Sequence, residues 1–203
     1  ARMPSWVTCA WPTEYQDVLN WQWEKVLIPY WKEAAKFAAD HGVEKIALEL
    51  HPGFCVYNPA TCLRLRDAVG GIVGANIDPS HLFWQGMDIL EVIRVLGAAG
   101  AIHYFHAKDT YLNLHNIREN GVLDTTSLAR IPERARVFRT LGYGHDEGLW
   151  KQIISALKIA GYDDTISIEH EDGLMSPKEG LEKAVALVRN CIIRQGNTNM
   201  WWA

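Results

Sequence analysis

The chain has no apolar run near the ~18 residues that a membrane-spanning helix requires, so no membrane span is expected. It has no surplus of positive charge. Twenty Lys and Arg stand against twenty-four Asp and Glu, a net charge of −4, which argues against nucleic acid as a partner. Its four cysteines, Cys9, Cys55, Cys62 and Cys191, form no Cys-x-x-Cys pair, so neither a zinc ribbon nor a redox dithiol is expected. They read as reduced thiols in a cytoplasmic protein. The opening Ala1-Arg2-Met3-Pro4 shows no apolar signal segment. The dinucleotide fingerprint is missing too: the nearest match, Gly142-Tyr143-Gly144-His145-Asp146-Glu147-Gly148, has a longer spacing and comes late. What remains is 203 residues of ordinary globular composition, 48% hydrophobic and 22% charged, enough for one domain. Nine tryptophans are an excess, and residues 195–203, with Trp201-Trp202, read as a tail or an interface.

Short Val-, Ile- and Ala-rich runs alternate with helical stretches five times. The predicted strands are 6–10, 45–50, 72–77, 101–106 and 165–169, bounded by Gly, Pro or Asp as buried parallel strands are. The first helix is predicted over 20–41, with Val26, Leu27, Tyr30, Trp31 and Ala34 on one face and Gly42 as its stop. Asn58-Pro59 opens the second as cap and first helical residue. The third covers 87–96 and the fourth 147–160, and Ser176-Pro177-Lys178-Glu179 is a capping box for the fifth. Strands alternating with helices imply a parallel sheet with helices outside it. An open doubly wound sheet and a (β/α)8 barrel both satisfy that order. The polar residues favour the barrel, because four of the five strands end in ionisable side chains.

Strand alternation decides which of those side chains point together. Glu49 and His51 share a face, as do Tyr104 and His106, and as do Ser167 and Glu169; Asp78 ends its strand with His81 three residues on. Glu49, Asp78, His106 and Glu169 can therefore converge in a barrel mouth. Three carboxylates and an imidazole suit a hard divalent cation with open positions, such as Mn²⁺ or Mg²⁺. The ligand charge of −3 against +2 favours a neutral polyol or hydroxyketone substrate. Lys108 and Asp109 are either a turn and a helix cap or substrate contacts, Glu171 and Asp172 read as solvated loop charges, and His103 is expected against a helix.

The runs Ala47-Leu48-Glu49-Leu50-His51-Pro52, Asn76-Ile77-Asp78-Pro79-Ser80-His81, His103-Tyr104-Phe105-His106-Ala107-Lys108-Asp109 and Ser167-Ile168-Glu169-His170 resemble the xylose-isomerase-like TIM barrel superfamily. That family holds sugar phosphate isomerases and epimerases, inosose dehydratases and apurinic endonucleases. The resemblance implies a (β/α)8 barrel in which Glu49, Asp78, His106 and Glu169 bind one divalent metal, Mn²⁺ first, with Mg²⁺, Co²⁺ or Zn²⁺ as alternatives. It implies that His81 touches the substrate or a second metal and that the 142–148 loop borders the site. It aligns the chain with the C-terminal five-eighths of a barrel, a single partial domain over residues 1–203. Completion by an N-terminal barrel segment or a homo-oligomer is then expected.

The activity so implied is sugar or sugar phosphate isomerisation or epimerisation, a proton moving next to a carbonyl through a metal-stabilised enediolate. Glu49 and Glu169 would carry the proton, and His51, His81 and Lys108 would bind substrate. A lyase of the same family, of the inosose dehydratase or C-glycoside-cleaving type, is the alternative, and a non-catalytic barrel subunit is the other. DNA cleavage fits poorly, because the nearest Asp-x-His equivalent, Asn113-Leu114-His115, begins with Asn. Residues 111–143 are expected to be an irregular lid carrying Asn113, His115, Asn116, Arg118 and Arg139.

Overall fold

The computed structural model describes residues 11–196, 200 and 202. The chain divides into two compact units. One runs through Ala107 and takes in Asp164–Ser167; the other comprises Lys108–Asp163 and the chain from Ile168 onward. The predicted strand at 6–10 lies outside the described residues, as does most of the predicted tail.

The first unit is built on a sheet of order β1-β2-β3-β6, with β1 (Ile46–Glu49), β2 (Val73–Ile77) and β3 (Ile102–Ala107) parallel to one another and β6 (Ile166–Ile168) beside β3. All five residues of β2 are buried, as expected of a strand covered on both faces. Gly74 is required there: a Cβ on it would lie 2.5 Å from the ring of His103 on β3. That ring fills the space instead, with Nδ1 3.3 Å from Ile46 O and Nε2 3.4 Å from the Arg66 guanidinium of α3 (Pro59–Val69). His103 reaches a helix residue as expected, but not by strand parity: the register shifts where Ala75 faces Ile102 and Asn76 faces Tyr104, and the ring lies over Gly74 on the face that Asn76 shares. The expected run of parallel strands in sequence order is seen in β1, β2 and β3, with β6 next in the sheet. Closure into a barrel and a fifth strand are not seen among the described residues.

The caps expected at Asn58 and Ser176 form. Asn58 Oδ1 accepts from Thr61 N at 2.9 Å while Thr61 Oγ1 accepts from Asn58 N at 3.2 Å, a closed capping box at the start of α3. Asp88 caps α5 (Ile89–Ala98), whose Ile89, Val92, Ile93 and Leu96 are buried. The first helix departs from expectation. It begins earlier, as α1 (Glu14–Trp21), passes through a wide π-helical turn at Gln22–Leu27, and continues as α2 (Ile28–Asp40). Pro29 explains the widening, since it brings no N–H for the carbonyl four residues back and its ring crowds that carbonyl. The register change puts Trp23 and Ala35 inside and leaves Tyr30, expected on the inner face, exposed.

In the second unit, β4 (Asp109–Leu112) and β5 (Arg136–Arg139) form an antiparallel ribbon with Asp109 opposite Arg139. This corrects the irregular lid expected over 111–143. The segment carries both strands, α6 (Leu114–Asn120) and a 3₁₀ turn at Ile131–Glu133. Its polar residues are committed to that structure. Asn113 caps α6, Asn116 Nδ2 donates to Pro132 O and Arg134 O, and Arg139 Nε donates to Asp172. His115 and Arg118 remain exposed. Helix α7 (Glu147–Ile159), capped by Asp146, buries Trp150, Ile153, Ile154 and Leu157. Helix α8 (Pro177–Cys191), capped by Ser176, buries Gly180, Ala184, Val188 and Cys191. Residues 142–148 are the entry to α7, and among the described residues no helix is long and apolar enough to cross a membrane.

Candidate metal centre

Three adjacent parallel strands bring three ionisable side chains to one end of the first unit's sheet. Glu49 is the last residue of β1, Asp78 follows β2 directly, and His106 is the penultimate residue of β3. Each offers a ligand atom, and these atoms all lie within 4.8 Å of one another. His106 Nδ1 is 3.4 Å from Glu49 Oε1 and 3.9 Å from Asp78 Oδ2. The short helix α4 (Pro79–Phe83) brings in a second imidazole. His81 Nε2 lies 3.6 Å from Glu49 Oε1 and 3.4 Å from Asp78 Oδ2. Asp78 divides its work: Oδ1 caps α4 through Ser80 N at 2.9 Å, while Oδ2 faces the two imidazoles.

Those separations exceed ordinary hydrogen-bond lengths of roughly 2.7–3.2 Å. They approach what two ligands of one ion show. Donor atoms each about 2.0–2.4 Å from a cation and at right angles about it stand roughly 2.8–3.4 Å apart. Asn76 gives a second observation. Its Oδ1 is buried without a hydrogen-bond partner, while its Nδ2 lies 3.1 Å from His106 Nε2. A half-turn of the carboxamide makes Oδ1 the acceptor of an Nε2–H and leaves the Nδ1 lone pair facing Glu49. A lone pair aimed at a carboxylate oxygen is repulsive unless a cation, proton or metal, lies between them. The donor set therefore fits a divalent ion. The neighbouring imidazoles of His106, then His81, hold the Glu49 carboxyl well below the usual carboxylate range against the opposing effect of burial.

The remaining predicted residues are placed as follows. His51 packs at a tilt against His81 with ring centroids 4.1 Å apart and against exposed Phe54 at 4.8 Å, and its Nδ1 meets Pro52 O at 2.6 Å. Lys108 and Glu169 belong to the second unit, where Lys108 Nζ donates to Glu169 Oε1 at 3.0 Å, pairs with Glu171, and sits 4.3 Å from the Phe138 ring centroid. Glu169 follows directly on β6.

Two sequence expectations are corrected here. Asp172 is no solvated loop charge: its buried carboxylate accepts from Arg139 Nε at 3.0 Å, Thr140 N at 2.9 Å and Leu174 N at 2.8 Å. Burial alone would raise that carboxyl; the Thr140 and Leu174 amides with Arg139 outweigh it, and the net direction is down. Glu171 is an ion-pair partner of a buried lysine. One more residue matters that sequence reasoning gave no role. Asn76 shares strand parity with Asp78, a signal present in the sequence. The burial of Asp172 has no such signal, because Arg139 lies far from it in sequence.

A parallel α/β sheet with carboxylates and imidazoles gathered at its strand ends defines a class of metal-site scaffold. Residues 4–191 match the sequence model of the xylose isomerase-like TIM barrel family, and the chain belongs to that family. It is 42% identical over 193 residues to the Bacillus subtilis (strain 168) protein YfiH, itself named as uncharacterized. The match covers 94% of this chain and 61% of YfiH, so the chain spans about three-fifths of that relative's length. A crystal structure of protein SMc04130 from Sinorhizobium meliloti 1021 shares the fold, with a TM-score of 0.56 at 22% identity, over 81% of this chain and 56% of that one.

Proposed function

We propose that the chain is the C-terminal part of a barrel enzyme, completed by strands outside these residues, that isomerises or epimerises a sugar or sugar phosphate by moving a proton next to its carbonyl. The observation that carries this reading is the convergence of Glu49, Asp78 and His106 at the ends of three neighbouring parallel strands. The ligand set is Glu49, Asp78, His106 and Glu169, and Mn²⁺ is the ion that three carboxylates and one imidazole suit best. Family membership and the place of Glu169 at the end of β6, the strand beside β3, support the fourth ligand.

A divalent ion bound there polarises the substrate carbonyl and offsets the charge that develops on its oxygen. The chain's own residues do the rest. Glu49, kept ionised by its imidazole neighbours, takes the proton from the carbon beside the carbonyl. Glu169 returns a proton to the same or the adjacent carbon, which sets epimer against isomer. His81, 4% exposed and facing both Glu49 and Asp78, fixes the carboxylates, and His51, packed against it, meets substrate hydroxyls. Lys108 bears on substrate through its hold on Glu169.

The test is solvent exchange. The full-length protein loaded with Mn²⁺ is expected to transfer deuterium from D₂O onto the carbon next to the carbonyl of ketoses in a panel that includes inososes, read by NMR. The Glu169→Gln variant should lose exchange and metal retention together. Elimination in place of exchange redirects the reading to the lyases of the family. Metal-free protein with undiminished exchange ends it.

A further inference from the structure

Lys108 is 2% exposed, and its ammonium is placed between two carboxylates, 3.0 Å from Glu169 Oε1 and in closer contact with Glu171 Oε2. Glu169 and Glu171 flank His170, whose ring packs against Gly180 of α8 with Nε2 3.3 Å from Met175 O. That anchor holds the two flanking carboxylates beside Lys108. Phe138 closes another side of the ammonium, its ring centroid 4.3 Å away. A buried ammonium retains its charge only beside carboxylate partners, and removing one from such a group leaves it leaning harder on the other.

We infer that Glu171 is a positioning residue for the metal site: it takes up the charge of Lys108 and so frees Glu169 for the divalent ion. The inference rests on the reading of Glu169 as the fourth ligand. Lys108 and a metal seek the same carboxylate, and one carboxylate cannot satisfy both a buried ammonium and a divalent cation. With two carboxylates around the ammonium, Glu169 turns to the metal while Glu171 stays on Lys108. Exposure fits this division, since Glu171 is half exposed and its charge is held at little desolvation cost. Glu171 therefore acts through Lys108, not through direct contact with the ion.

The test is a double-mutant cycle read as Mn²⁺ affinity by calorimetry on the full-length protein, with thermal melts to show that each variant folds. Glu171→Gln should weaken Mn²⁺ binding by about tenfold, because Lys108 then competes for Glu169. In the Lys108→Met background the same change should alter affinity by less than about twofold. Lys108→Gln replaces Lys108→Met if the latter melts early. A tenfold loss of equal size in both backgrounds would mean that Glu171 acts by its own field, and it overturns the proposal. So does an unchanged affinity in Glu171→Gln. Glu169→Gln separates the two levels of the argument. If it leaves Mn²⁺ binding intact, Glu169 is not a ligand and the site reading fails; if it abolishes binding while Glu171→Gln does nothing, only the exchange fails.

Discussion

Asp78 and Asp109 are both completely buried carboxylates set close to the ends of strands, yet they do opposite things. Asp109 is saturated with donors. Its Oδ2 accepts from Gly142 N, Gly144 N and His145 N at 2.9–3.2 Å and from Trp150 Nε1 at 3.3 Å, and its Oδ1 accepts from Thr110 N and His145 Nδ1, each at 2.8 Å. It ties the entry loop of α7 to the start of β4. Gly144 is necessary to that closeness, since a Cβ there would come 2.5 Å from the Thr110 backbone. Asp78 spends one oxygen on a helix cap and turns the other toward two imidazoles that stand at 3.4 and 3.9 Å. What separates a structural carboxylate from a candidate ligand is the nature and distance of its neighbours, not its burial or its residue type.

The pair is broken most clearly by replacing each acid with its amide. Asp109→Asn points an NH₂ at amides that need an acceptor, and it should destabilise the protein by about 3 kcal/mol, read as a fall in the urea midpoint. Asp78→Asn keeps an oxygen for Ser80 N, so its midpoint should stay within about 0.5 kcal/mol of the parent while Mn²⁺ affinity falls by about a hundredfold. An Asp78→Asn protein that unfolds like Asp109→Asn, or one that keeps its metal, would erase the distinction.

How much of this was legible in the sequence follows the same line. Caps and strand parity are local, so Asn58, Ser176 and the facing of Glu49 and His106 can be read from neighbours a few residues away. Asp109 and Asp172 depend on partners some 30 to 40 residues distant, and nothing local distinguishes them from loop acids. The ribbon β4–β5 was missed because four-residue strands around Asp109 and Arg139 carry too short a pattern to register against a helical one. The π-turn before Pro29 shifts the inward face of α2, an effect that a fixed helical period does not represent.

A smaller effect sharpens the contrast between the acids at the strand ends and the packing deeper in the first unit's sheet. Gly74→Ala should cost about 2 kcal/mol, because the new Cβ meets the His103 ring at 2.5 Å in a strand buried throughout. Gly74→Ala combined with His103→Ala should recover part of that loss. Gly74 shares the face of Asn76 but lies two residues further from the strand end, so Mn²⁺ affinity should fall far less than in Asp78→Asn. Equal urea midpoints for the parent and Gly74→Ala would show that the His103 ring is not held over the glycine.

The smallest effect is carried by the protonation of His103 itself. Burial pushes its pKa below the ordinary 6.5, with Arg66 and Lys45 adding to the shift and the Ile46 carbonyl opposing it. The unfolded chain, whose histidine keeps the ordinary value, therefore binds a proton at a pH where the folded chain does not. Under that condition stability rises with pH, so it is lost as pH falls through about 6.5 toward the lower folded value. Asp172, whose carboxyl is shifted down, adds its own loss only at much lower pH, within and below the carboxylate range, so the two windows do not overlap. Urea midpoints at pH 7.5 and pH 5 should differ in the parent, the acid value being lower. His103→Phe keeps a flat ring over Gly74 but cannot take the proton, and it should narrow that difference. If the variant retains the parent's full dependence between pH 5 and 7.5, the neutral buried imidazole is not what sets it.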